Sequence, residues 1–359
     1  MTHSSADVDA VARAWVDVDL AAIVANARRV AEVSGARLLP MVKANAYGLG
    51  AVSVVRALEP LNPWGYGVAT IEEGRELRSA GIGRPLVVFT PVLPGWIDAL
   101  RRYDLTPLIG DLPALHAWLA AAPGHPFHIG IDTGMARAGF PHLDRAALDA
   151  VGELVRRSRA YAGVCTHFHS ADTDPAATAL QWERFQAAIA AIGPRPPLIH
   201  AANSAAALAG QRYAGDLVRP GIFLYGGAVG KHVPNPVAAL RARVVAVRTV
   251  LPGESVSYGA TWRPDKPVTI ATLGIGYADG VLRSLSGRGV VELGGNRVPI
   301  CGRVTMDMTL AAAPAGAAAG DVATVFGGVV TLDEQAASAG TIAYELLTAI
   351  GPRVHRRYH

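Results

Sequence analysis

The chain has 359 residues, 51% of them hydrophobic and 17% charged, with a formal net charge of +4. That balance supplies a sizeable core and excludes a disordered chain. No basic run is interleaved with aromatics, so nucleic-acid binding is set aside as well. The two cysteines, Cys165 and Cys301, sit in apolar segments and make no disulfide framework, which points to a reducing compartment.

Residues 1–12 read as a loose tail without a charged-then-apolar signal pattern. The longest stretch free of Asp, Glu, Lys and Arg runs from Leu112 to Ile131. It contains Pro113, Pro123 and Pro126 and is no membrane span. A cytoplasmic protein is the expectation. Trp15–Leu20 alternates like a strand and leads into a helical pattern through Val30. Short apolar runs then follow at Leu38–Lys43, Tyr66–Thr70, Leu86–Thr90, Leu105–Ile109, Phe127–Asp132, Gly163–Phe168, Leu198–Ala202 and Asp216–Pro220. Between them lie segments of helical period, such as Ile71–Ala80, Leu112–Ala122, Arg145–Arg159 and Ala176–Ile192. Eight strands, each followed by a helix, over roughly 200 residues predict a (β/α)8 barrel of the TIM type. An open doubly wound sheet ranks second, because it stops at about five or six strands.

From Ala238 the grammar changes. Leu240–Val250, Val268–Leu273, Gly289–Leu293, Arg297–Ile300, Asp307–Ala312 and Asp321–Phe326 are strand-like, with Gly, Pro and Asn between several of them. A short helix is expected at Thr341–Ile350. The division is therefore a barrel over residues 12–235 and a mainly β domain over 236–359. The boundary falls in the proline-punctuated link of residues 231–236.

The chemistry gathers at the predicted strand tips, where functional side chains of such barrels lie. Lys43 ends an apolar run and is followed by Ala44-Asn45-Ala46-Tyr47-Gly48-Leu49-Gly50. A desolvated lysine loses its proton more readily and becomes a nucleophile able to form a Schiff base with a carbonyl. A surface lysine closing a strand is the plain alternative. Gly48 and Gly50 weigh against it, since they let backbone approach a ligand ahead of a helix start. The other tips offer Asp132 to Arg137, His167, the segment His200 to Ser204, and Arg219-Pro220-Gly221-Ile222. Loops after strands seven and eight are the usual phosphate site of the fold, which nominates Ser204 and the N–H groups of Gly221 and Ile222. The plain alternatives are a helix cap for Ser204, a core residue for His167 and an ion pair with Asp216 for Arg219.

The string Val42 to Gly50 resembles the pyridoxal-phosphate lysine motif of alanine racemases. Val218 to Gly226 resembles the segment whose arginine, here Arg219, binds the pyridine nitrogen of that cofactor. Asp132 to Arg137 resembles the loop whose arginine, here Arg137, contacts the cofactor phenolic oxygen and the substrate carboxylate. His167 matches the histidine that hydrogen-bonds the pyridine-binding arginine. Val256 to Trp262 looks like the segment bearing a catalytic tyrosine, here Tyr258, for which a half-buried strand tyrosine is the alternative. Gly274 to Gly280 and Val304 to Asp307 look like the entrance and substrate-carboxylate segments, with Tyr277, Met306 and Asp307. The resemblance covers Trp15 to Arg353.

It implies pyridoxal 5′-phosphate as cofactor, with Tyr47 and Asn203 beside the residues already named, and no metal. It implies interconversion of L- and D-alanine with Lys43 and Tyr258 as the two bases, and D-alanine supply for peptidoglycan. It also implies a head-to-tail homodimer whose active sites lie at the subunit interface. Arginine at the ring nitrogen, which keeps its own proton, fits a proton shuffle better than transamination. Two departures stand out. Gly130 occupies the position where the family commonly has a carbamylated lysine, which bears on how Arg137 is held. Gly351-Pro352-Arg353 stands where a tyrosine is often offered to the phosphate. The alternatives are a broader-specificity racemase of the same fold, a related pyridoxal-phosphate decarboxylase, a non-catalytic carrier, and a cofactor-free Schiff-base aldolase.

Overall fold

The computed structural model describes residues 11–359, so most of the expected tail lies outside it. Its last residue, Ala12, is buried, and the Ala12 carbonyl accepts from Arg243 Nε at 3.1 Å. All eight expected barrel runs carry a strand, most shorter than the apolar run that signals it. They are Arg37–Leu38, Tyr66–Val68, Leu86–Val88, Thr106–Ile109, Phe127–Asp132, Tyr161–Cys165, Ile199–His200 and Leu217–Val218. From the second to the seventh, each strand pairs in parallel with the next in sequence. The eighth pairs with the first, the Met41–Gly67 bridge joins the first to the second, and Asp216 N donates to Ile199 O at 2.7 Å across the remaining seam. The ring therefore closes into a barrel.

Local chemistry fixes the helices outside. Asp19, Asp111, Asp144 and Asp174 each accept a backbone N–H at a helix start, and Thr70 with Glu73 forms a capping box. Apolar positions on the inner faces, such as Leu77, Leu115, Trp118, Val151 and Phe185, are buried against the strands. Fully burying one such aliphatic side chain stabilises by about 1.5–3 kcal/mol.

The strand Ala14–Val18 precedes the barrel in sequence but pairs elsewhere. It lies antiparallel to Ala238–Val250 and parallel to the C-terminal strand His355–Tyr358. Ala238–Val250 is the hub of the second sheet, also pairing with Val268–Leu273 and Val322–Phe326. The hairpin Val290–Leu293 with Asn296–Pro299 turns at Gly294 and Gly295, both at positive φ as a tight hairpin requires. The helix Leu332–Ala339 and the strand His355–Tyr358 are absent from the sequence reading. The expected closing helix is present as Ala343–Thr348. One continuous core runs from the barrel into this domain.

Candidate active site

The extended ladder that carries Lys43 ends one residue before it. Leu39 N donates to Val218 O, Met41 N to Pro220 O and Val42 N to Gly67 O, at 2.8–2.9 Å. Lys43 then opens a left-handed turn, with φ of 52–56° at Ala44, Asn45, Ala46 and Tyr47. Four consecutive non-glycine residues in this region are costly, roughly 1–2 kcal/mol each. Polar contacts offset the cost: Ala44 N donates to Glu73 Oε1 at 2.7 Å, and Ala51 N to Asn45 Oδ1 at 2.8 Å.

Gly48 and Gly50 follow at φ 84° and 98°. Their bare backbone does not make room for a ligand, as the sequence suggested. A Cβ on Gly48 would sit 2.2 Å from Leu347 O, and one on Gly50 would overlap the Tyr358 hydroxyl. The close approach is to the C-terminal segment, and Arg356 Nε donates to Gly48 O at 2.9 Å.

Lys43, Asp132, Arg137, His167 and Arg219 line one cavity of about 260 Å³ at the barrel mouth, with Gly130, Leu108 and Phe89 on its walls. Desolvation lowers the Lys43 pKa first, the charge of Arg137 lowers it further, and Glu73 opposes both. Arg219 is buried and does not pair with Asp216, whose Oδ2 accepts from Ile199 N instead. Its Nη1 donates to His200 Nδ1 and His200 O, each at 2.9 Å. Its Nη2 donates to Thr166 O at 2.7 Å, Ala201 O at 3.1 Å and His167 Nδ1 at 3.2 Å. All these acceptors are neutral, so nothing among them balances the guanidinium charge. Burial, then Arg219, Arg137 and Lys43, push the His167 pKa down to about 3, which leaves its ring neutral.

No carboxylate among the described residues pairs with Arg137. Asp132, the closest candidate in sequence, spends Oδ1 on the N–H groups of Gly134, Met135 and Ala136 at 2.9–3.1 Å. Gly130 presents bare backbone to the cavity, and a Cβ there would meet Leu108 Cδ1 at 3.3 Å.

A second cluster forms around Tyr47, four residues after Lys43. Ser204 Oγ accepts from Gly221 N at 2.9 Å, and Gly221 is pressed so closely on Tyr47 that a Cβ would lie 2.3 Å from the Tyr47 hydroxyl. The helix cap is Asn203, not Ser204: Asn203 Oδ1 accepts from Ala206 N at 3.1 Å. Ser204 therefore keeps its O–H free to donate. Ile222 opens a short 3₁₀ turn, where the first N–H groups have no partner within the turn. Tyr344 lies beside Tyr47, with ring centroids 5.8 Å apart. It supplies a tyrosine beside this cluster, which the sequence reading looked for nearer Pro352 and did not find.

Tyr258, Tyr277, Met306 and Asp307 line a different concavity, of about 870 Å³, on the second domain. It shares no wall with the Lys43 cavity. Tyr258 is 73% exposed there and Met306 54%. The Asp307 carboxylate is already engaged by Arg353. One chain thus presents two partial sites, each rich in polar groups and each open.

The N-terminal alanine racemase domain family matches residues 18–229, and the C-terminal alanine racemase domain family matches 237–358. The chain belongs to the alanine racemase family. It is 38% identical over 356 residues to the alanine racemase of Deinococcus radiodurans, covering 96% of this chain and 99% of that one. The solved alanine racemase of Streptomyces coelicolor A3(2) superposes with a TM-score of 0.90 at 32% identity, covering 98% of this chain and 99% of that one. The alanine racemase of Bartonella henselae, solved with covalently bound pyridoxal phosphate, superposes at 0.89 and 29% identity, over 97% of this chain and 100% of that one. Among the described residues no cluster of His, Cys, Asp and Glu is placed to hold a metal ion. No helix among those residues is long and apolar enough to cross a membrane.

His200 and Tyr344 are the members of the site that sequence reasoning passed over as individuals. His200 stood within a quoted segment, and its place at a strand end was the available signal. Tyr344 carried none, because only packing of the closing helix brings it to Tyr47.

Proposed function

We propose that the chain is a pyridoxal-phosphate-dependent alanine racemase that interconverts L- and D-alanine in the cytoplasm, working as a homodimer and supplying D-alanine for peptidoglycan. The observation that carries this is the single mouth holding Lys43, Arg137, His167 and Arg219 in a chain that matches the family along nearly its whole length.

The donor set fits the cofactor. A lysine of lowered pKa lies on one wall to hold it covalently, and Arg219 offers a fixed donor for a ring nitrogen. Ser204, Tyr47, Tyr344 and Ile222 N–H gather into a cluster that would hold a phosphate, with Gly221 N–H already given to Ser204 Oγ and Asn203 fixing the helix that bears Ser204. The group offered to the ring nitrogen is an arginine, where a transaminase would need a carboxylate. When bound, pyridoxal phosphate supplies the electron sink that makes a Cα–H acidic enough to exchange.

The protein's own task is to hold a substrate and move one proton on each face of Cα. Arg137 holds the substrate carboxylate. Lys43, whose pKa is lowered by desolvation and then by Arg137, accepts or returns the proton on one face. Tyr258 of the partner subunit serves the other face, and Tyr277, Met306 and Asp307 of the partner subunit close the mouth. That assignment rests on the exposure of Tyr258 and on the absence of any shared wall between the two partial sites.

A broader substrate range is a second reading, favoured by Gly130 and by an Arg137 that no carboxylate among the described residues pairs with. An absorbance spectrum of the purified protein, followed by chiral analysis of alanine incubated with it, tests the main reading. A yellow protein that converts either enantiomer to a mixture is expected. A colourless protein, or carbon dioxide release, overturns it. Borohydride reduction and peptide mapping should place the label on Lys43 and on no other lysine.

A further inference from the structure

Behind Arg219 lies a file of buried rings. His200 Nδ1 accepts from Arg219 Nη1 at 2.9 Å, and His200 Nε2 meets His128 Nδ1 at 2.8 Å. Both imidazoles are fully buried, in the barrel interior. His128 Nε2, at the far end, has no partner among the described residues.

We infer that His128 is a positioning residue for Arg219, acting through His200 by fixing which of its ring nitrogens carries the proton. The reasoning is one of donors and acceptors. A guanidinium can only donate, so the His200 nitrogen facing it must present a lone pair. A neutral imidazole has one lone pair and one N–H, so His200 carries its proton on Nε2. That N–H points at His128 Nδ1, which must therefore be the lone pair of His128. The proton of His128 is left on Nε2, the atom without an acceptor. Every tautomer in the file is thus dictated from Arg219 inward. The orphaned Nε2–H follows from the direction of the file, not from loose packing.

Surrounding residues are shaped to hold this arrangement. Gly163, on the adjacent strand, has no side chain where a Cβ would lie 3.0 Å from His128 Cε1. The Trp64 ring covers the other side at 5.7 Å between centroids. An added proton on either ring would set two N–H groups against each other, at the Arg219 end or between the rings. The file therefore excludes both imidazolium forms, and Arg219 keeps an undivided charge in one orientation.

The tautomer assignment stands without the racemase reading, and only the kinetic arm of the test rests on that reading. Nitrogen-15 histidine labelling and long-range ¹H–¹⁵N correlation spectra of the full chain report each ring directly. Wild-type His200 should show a bare Nδ1 and a protonated Nε2. The opposite pattern overturns the inference with no variant needed. In His128→Asn the side-chain oxygen replaces the lost acceptor, so His200 should keep its single tautomer and kcat should stay within about threefold of wild type. His128→Leu removes the acceptor while filling the space. His200 should then lose its tautomer preference, and kcat should fall about tenfold with KM little changed. A wild-type His200 pattern in His128→Leu, or equal impairment of both variants, would show that His128 only fills volume. Absence of racemase activity in the wild type would overturn the functional reading and leave the spectra to decide the tautomers.

Discussion

The guanidinium of Arg353 donates to the carboxylate of Asp307 at 2.9 Å, while its Nε reaches the buried Asp279 at 3.0 Å. Arg13 holds the same Asp279 from the other side, at 2.8 Å. Asp279 in turn accepts from Gly276 N, and Tyr277 N donates to Thr305 O. The two segments assigned to the substrate entrance are therefore pinned to each other by one buried carboxylate and two arginines.

Arg353→Gln should loosen the Asp307 segment without unfolding the domain, because Arg13 still neutralises Asp279. The Asp307–Arg353 pair is about half exposed at both ends, so solvent screens it and its loss costs little stability. Melting temperature should drop by only a few degrees. KM for alanine should rise about three- to tenfold with a smaller change in kcat. An unchanged KM in steady-state assays would mean that Asp307 acts without Arg353.

Tyr258→Phe keeps the ring but removes the hydroxyl. Loss of a general base costs about 10²- to 10⁴-fold, and each direction of racemisation uses both bases, so both directions should fall by that much. Cofactor absorbance should persist. Exchange of the Cα proton of D-alanine with deuterated solvent should continue through Lys43, while that of L-alanine is nearly lost. Equal residual exchange from both enantiomers would place the second base elsewhere.

Gly130 leaves Arg137 without an anionic partner among the described residues. Arg137 should then settle on substrate in more than one pose, and turnover of serine and of a bulkier amino acid should be measurable beside alanine. Strict alanine preference in a side-by-side comparison would count against a widened range.

Stability should fall on acidification in the range where unfolded histidine titrates. The folded pKa of His128 and of His167 is pushed down to about 3, chiefly by burial and then by Arg219, and His200 moves the same way. A free histidine has a pKa of about 6.5. Between those values the unfolded chain binds protons that the folded chain refuses, so folding weakens as pH drops from about 6.5 toward 3. Each ring contributes at most about 1.4 kcal/mol per pH unit. Urea midpoints at fixed protein concentration should be lower at pH 5 than at pH 7. Equal midpoints would show that these rings protonate while folded.

The barrel is legible in the chain because eight apolar runs alternate with amphipathic segments, and strand burial on both faces leaves no other reading of Phe127–Asp132 or Leu86–Val88. What the pattern does not carry is partnership. Ala14–Val18 alternates like any strand, yet it pairs with Ala238–Val250 because pairing depends on where the chain returns, not on local period. Arg219 looks bound for Asp216, three residues away. The ladder instead aims Asp216 at Ile199 N and Arg219 at His200. The left-handed turn at Ala44 to Tyr47 could not be read from residue types, since none of the four is glycine. It is imposed by Glu73, by Asn45 and by the C-terminal segment over Gly48 and Gly50.

The separation of Tyr258 from Lys43 has a stoichiometric consequence. If each mouth draws its lysine from one chain and its tyrosine from the other, two dead variants can repair one another. In a mixed dimer of Lys43→Ala and Tyr258→Phe chains, one mouth carries both lesions and the other carries neither. Random reassociation of equal amounts makes about half the dimers mixed, so about a quarter of the wild-type activity should return from two inactive preparations.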